Sequence, residues 1–256
     1  MSRSYMENYI LRNYGVVFKY FKNEDDFTQI HFKTEVTYKG ELNDGNHYFV
    51  INKKEIFING MAPDLLVEQM AESAGSCLYP MEIVTNSQGP FEEIANYEEI
   101  KKRWDLKKIE FQNYYEGKIA EKIIKKLDII YSSKTKLEIA IKDDLFFTLF
   151  FMPIYRKHID RLANYEIEIV FIPFEEPISF QIIQEVKPYL SRLNKQLLSL
   201  KGYCDQAINS HPELELDYKI DNETKSLSSI MGSVDLKIAK DSVNKIEIEI
   251  IQLFEN

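Results

Sequence analysis

Chemistry begins with side chains that can attack, donate or coordinate, and in this chain the candidates are few. Four histidines, His31, His47, His158 and His211, lie far apart, and none sits in a recognisable metal-ligand motif. Beyond His211, the run HPELELD sets Glu213, Glu215 and Asp217 on one face of a strand. Such oxygens can hold a divalent cation, but a water-facing edge strand explains them equally well. The run SAGSC at 73–77 offers a serine or cysteine nucleophile, which needs a base within hydrogen-bond reach and an oxyanion site. The sequence supplies neither, and its nine glycines form no phosphate loop and no Gly-x-Ser-x-Gly turn. A closely packed helix end with Cys77 buried is the plainer reading. Adjacent acids, such as Asp25-Asp26 and Glu175-Glu176, complement helix dipoles or face water rather than share a substrate. These patterns assign no catalytic residue, no metal ligand and no cofactor.

Two segments remain as candidates for binding. Residues 101–126 hold nine basic side chains against four acidic ones, about +5 in a chain whose net charge is −9. Lys101, Lys102, Arg103, Trp104, Lys107 and Lys108 form its densest part and are the expected contacts for a partner, whether an acidic partner, an RNA strand or a membrane surface. The competing reading is a solvated helix face whose aromatics point inward. The second segment, DDLFFTLFFMPIYRKH (143–158), is the most apolar stretch. It is too short to span a bilayer, which takes about 20 apolar residues. Asp143 or Asp144 can cap a short helix there, and Pro153 ends it near Met152. An all-round apolar helix implies burial. Where it borders a cavity, Phe147, Phe150, Phe151 and Tyr155 are the expected ligand contacts.

The elements that must position these residues follow from periodicity. Alternation over 28–40 and 47–60, joined at Asp44-Gly45, predicts a β-hairpin. Leu66, Met70, Ala74 and Cys77 make one helical stripe, with Pro63 suited to the helix's first turn. Residues 81–96 form a second hairpin around Gly89-Pro90. Asn96 and Glu99 have capping-box spacing for a helix that breaks near 113–117 and resumes along Ile119, Ile123, Leu127 and Ile130. The run TKLEIAIKDD fits either a strand or a helix start. After a strand from 165, Leu190, Leu193, Leu197, Leu200 and Cys204 predict an amphipathic helix over 187–208, and three strands close the chain.

The expected fold is α+β: curved antiparallel sheets with helices packed on one side, in a single globular unit over 1–256. Residues 82–96 align without gaps with 218–232, suggesting two similar halves, 25–96 and 165–254, around a helical insert at 97–160. Two cysteines and an N-terminus without an apolar leader point to the cytoplasm. The acidic balance speaks against nucleic acid. The expected function is therefore non-enzymatic binding of another protein, as an adaptor, chaperone-like or inhibitor/immunity-like component. The alternative is a carrier holding an apolar small molecule or lipid between sheet and helices, an analogy drawn from folds of this kind.

Overall fold

Strand alternation carries most of the architecture. The computed structural model describes residues 9–156, 161–173, 175–204, 212–236 and 243–254. Five strands come first: β1 (Ile10–Phe21), β2 (Phe27–Glu41), β3 (His47–Ile58), β4 (Met81–Thr85) and β5 (Phe91–Ile94). Helix α1 (Leu66–Ser76) lies between β3 and β4. Four helices follow: α2 (Tyr97–Tyr114), α3 (Lys118–Tyr131), α4 (Lys134–Lys142) and α5 (Leu145–Phe150). The chain ends in six strands: β6 (Leu162–Ile169), β7 (Ile178–Leu190), β8 (Lys195–Tyr203), β9 (Glu213–Asp221), β10 (Leu227–Asp235) and β11 (Lys245–Leu253). All eleven join one antiparallel sheet in the order β5-β4-β3-β2-β1-β11-β10-β9-β8-β7-β6. The first and last strands therefore meet in the middle, with Val16 opposite Ile250. The fold is α+β, built on one open sheet.

Burial follows residue parity. Tyr14, Val16 and Phe18 of β1, Leu214, Leu216, Tyr218 and Ile220 of β9, and Ile246, Ile248 and Ile250 of β11 are buried, while their neighbours in sequence face outward. Period-two alternation of this kind leaves one dry and one wet face. The Phe-rich helix α5 lies on the dry face. Phe146 meets Phe32 edge-on at 5.8 Å, Phe150 meets Tyr14 at 5.0 Å and Phe151 meets Phe49 at 5.5 Å. The Tyr218 hydroxyl donates to the Leu149 carbonyl at 2.9 Å. Asp144 caps α5 by accepting from the Phe147 N–H, as its position before the apolar run predicts.

Several expectations are corrected. The helix expected over 187–208 is absent from its described part, 187–204: β7 runs to Leu190, a turn follows, and β8 starts at Lys195. Leu193, placed on the buried stripe, is 79% exposed at that turn. The second hairpin of the aligned pair is thus preceded by a strand, whereas α1 precedes the first. Asn96 stands at the N-cap of α2, but its side chain makes no cap hydrogen bond; it accepts from Glu82 N–H and donates to the Pro80 carbonyl, fastening the start of β4. Helix α1 begins at Leu66, so Pro63 precedes it, and Leu66 is exposed while Met70, Ala74 and Cys77 are buried. The undecided run at 135–144 is mostly α4, with the Ser133 side chain accepting from Lys136 N–H.

One close approach is a direct consequence of the pairing. Gly232 faces Leu216 across β10 and β9, and a Cβ there would stand 2.0 Å from the Glu215 carbonyl oxygen. The obstacle is backbone, so no side-chain rotation relieves it. Gly232→Ala is expected to cost about 1–3 kcal/mol, read as a lower midpoint in thermal or denaturant unfolding. An unchanged midpoint would mean that the strands do not approach so closely.

Candidate functional site

The C-terminal end of α5 stops short of covering the dry face, and a cavity of about 350 Å³ lies beside it. Its floor is apolar: Tyr14, Val36, Phe150, Phe151 and Leu227 are buried there. Alternation in β1 turns Ile10, Arg12 and Tyr14 toward the same cavity, and β2 and β3 add Tyr38, His47 and Phe49. The rim comes from two turns. The β4–β5 turn supplies Ser87 and Gly89, and the β9–β10 turn supplies Thr224, Lys225 and Ser226. Tyr155 ties both turns together: its backbone N–H donates to the Gln88 carbonyl at 3.2 Å, and its hydroxyl donates to the Lys225 carbonyl at 2.7 Å. Gly89, at φ +115°, permits this approach, because a Cβ would stand 2.5 Å from the Met152 carbonyl oxygen.

The polar groups of this cavity are few and specific. Arg12 donates from Nη2 to Thr224 Oγ1 at 3.1 Å, while its Nε is buried without a partner among the described residues. Tyr38 Oη and His47 Nδ1 lie 3.2 Å apart. Tyr14 donates its hydroxyl to the Leu227 carbonyl at 2.8 Å. Burial pushes the Tyr14, Tyr38 and Tyr155 phenols above their ordinary range, so they remain neutral donors near pH 7. Among the described residues no Asp or Glu lines the cavity. Its formal charges are Arg12 and Lys225.

Of the four predicted ligand contacts, Phe150, Phe151 and Tyr155 line the cavity. Phe147 does not. It lies buried behind them with its ring stacked on Phe151 at 6.1 Å, because a six-residue helix turns it away from the opening. Arg12, Tyr14, His47 and Lys225 were not singled out as cavity residues from sequence. They come from separate strands and a turn, and only the sheet order brings them together.

On the other side of α5 lies a wider, more open cleft of about 790 Å³, bordered by Phe18, Phe32, Phe146 and Phe171. Lys53 reaches it with its ammonium 3.8 Å over the Phe32 ring, and burial lowers its pKa against an opposing influence from Asp144. Asp144 is already occupied in capping α5. Asp143, Asp144 and Glu175 also border this cleft.

The basic segment forms the scaffold of α2 and α3. Trp104 is corrected from partner contact to core: it is 0% exposed, stacked on Tyr131 at 4.8 Å, with its indole N–H donating to Asp128 at 3.2 Å. Arg103 donates to the carbonyls of Cys77, Leu78 and Pro80. Lys101 pairs with Asp105, Lys107 with Glu110 at 2.6 Å, and Lys108 with Asp128 at 2.7 Å. Lys102 lies on the exposed side of α2. Among the described residues no three His, Cys, Asp or Glu side chains cluster as a metal site, and Glu215 pairs with Lys201 at 3.0 Å. His158 and His211 lie outside the described residues. No helix among them is long and apolar enough to cross a membrane.

No known family model matches the chain, and no curated protein is significantly similar to it.

Asp128 links the basic segment to the core, because Lys108 and the Trp104 indole hold its carboxyl below the usual carboxylate range. A carboxyl depressed in the folded state stabilises the fold above its unfolded pKa, about 3.9, and that contribution disappears as pH falls through the folded value. Asp128→Ala is expected to cost about 1–2 kcal/mol by stranding a buried indole N–H, to shift the emission of the sole tryptophan, and to weaken the acid dependence of stability below pH ~4. A variant with unaltered emission and acid profile would place that indole in another environment.

Proposed function

We propose that this protein is a non-enzymatic carrier of an apolar small molecule, held between α5 and a sheet curled around it. The observation that carries this reading is the cavity of about 350 Å³ with a floor of Tyr14, Val36, Phe150, Phe151 and Leu227. It falls at the small end of the range for ligand sites, about 300–1,000 Å³, and has the apolar lining with a few polar groups that such sites share. The curl is supported by Tyr155. In the sheet order β4 and β10 are five strand spacings apart, about 24 Å if the sheet were flat. Yet one tyrosine bonds to the turns that both strands enter. A reducing compartment such as the cytoplasm fits the two thiols, Cys77 and Cys204, which are buried and unpaired.

A second reading, contact with another protein, is favoured by Met61, Leu65, Leu66 and Val67, which stay exposed around the start of α1. Exposed apolar groups of this kind mark interaction surfaces when they are contiguous. The cavity accounts for more of the molecule: it uses three of the aromatic side chains of the Phe-rich segment, whereas the α1 cluster engages none of the basic residues.

Native mass spectrometry of the protein mixed with decanol or decanoate tests the carrier reading. A single bound molecule is expected, lost in Val36→Trp, which fills the floor while the circular dichroism spectrum is retained. Failure of both compounds to bind the wild-type protein would sink the proposal.

A further inference from the structure

Resting on the carrier reading, we infer that the ligand is an anionic amphiphile of medium chain length, with its acidic head at Arg12 and its tail among the phenylalanines. The chain carries 41 acidic against 32 basic side chains, yet among the described residues no carboxylate lines this cavity and its formal charges are Arg12 and Lys225. That reversal of sign is local and lies where the apolar floor gives way to the rim. A low-dielectric wall strengthens such a field and selects the opposite charge.

Arg12 supplies the specific contact. One guanidinium nitrogen is engaged by Thr224, while Nε is buried and has no partner among the described residues. A buried donor without an acceptor is costly, and a carboxylate is the group whose two oxygens match a guanidinium edge. The Thr224 hydroxyl is held in turn by Asp221 and Ser226, which fixes that side of the guanidinium. Lys225 stands exposed on the same turn, where it adds charge at the mouth. His47 and Tyr38 form a polar pair on the opposite wall.

Size limits the tail. At about 30 Å³ per water-sized group, 350 Å³ holds about a dozen non-hydrogen atoms. A straight-chain carboxylate of about ten carbons meets that limit. Tyr14, Phe150 and Leu227, which form the floor, offer such a tail no polar group beyond the Tyr14 hydroxyl, and that is already bonded to the Leu227 carbonyl.

The test compares decanoate, decanol and decylamine by isothermal titration calorimetry at neutral pH, with the full chain and with Arg12→Gln and Lys225→Gln. Decanoate is expected to bind one-to-one and about tenfold or more tighter than decanol, the scale of a charge-assisted hydrogen bond, with decylamine weakest. Arg12→Gln should remove most of the preference for decanoate over decanol, and Lys225→Gln should reduce the preference by a smaller factor. Lys225 lies on an exposed turn, so its variant keeps the test valid if Arg12→Gln folds poorly. Equal affinity for decanoate and decanol, or an unchanged preference in the variants that fold, would overturn the anionic head while leaving the carrier reading intact. Binding of none of the three would overturn both.

Discussion

A sheet of eleven strands with one dry face has to cover that face, and the short helix α5 covers its middle. Its rings meet β1 and β2 through Tyr14 and Phe32, Phe151 just beyond its end meets Phe49 of β3, and its backbone accepts a hydrogen bond from Tyr218 of β9. Five of its six residues are buried. Each buried aromatic contributes roughly 1.5–3 kcal/mol by leaving water, so few changes in α5 would leave the sheet intact. The segment that follows continues the contact: the Ile154 carbonyl accepts from Gln184 of β7, and Tyr155 joins two turns. The cavity exists because regular helix ends at Phe150, before the sheet face does.

The remaining helices protect the flank of the sheet. Strand β5 forms one edge, and Glu138 of α4 accepts the Ile94 N–H at 3.0 Å while Lys134 pairs with Glu93 at 2.6 Å. An edge whose backbone is engaged in this way is a poorer template for pairing with another chain. Three lysines of α2 in the basic segment, Lys101, Lys107 and Lys108, form ion pairs with Asp105, Glu110 and Asp128. Exposed pairs of this kind contribute little individually. Trp104, packed on Tyr131 and bonded to Asp128, matters more to stability than any of them.

Much of the fold was legible where the pattern was local. Alternation marked β2, β3, β9 and β11, and Asp144 with Pro153 bracketed α5. The misreading over 187–208 has a clear cause: Leu190, Leu193, Leu197 and Leu200 happen to keep helical spacing, while the buried set is Leu198, Leu200, Gly202 and Cys204, at a period of two. Pairing with β7 and β9 prevails over helix propensity there, a tertiary effect no local window contains. Gly202, whose absent side chain leaves room for Ile182, Phe180 and Leu214, was the available sign of a strand. Strand β1 went unread, although Tyr14, Val16 and Phe18 alternate with polar or small neighbours. The cavity was legible only in its phenylalanines. Arg12 and Lys225 are 213 residues apart in sequence, and their approach depends on β1 and β9–β10 lying near one another in the sheet order.

The anionic amphiphile we propose sits against α5 with its head at Arg12. Anomalous diffraction from crystals grown with decanoate brominated at its terminal carbon tests it most directly. One bromine peak is expected on the floor formed by Tyr14, Phe150 and Leu227, with carboxylate density at Arg12. A bromine located in the cleft beside Lys53 or on the outer surface, with no density in the cavity, would contradict it.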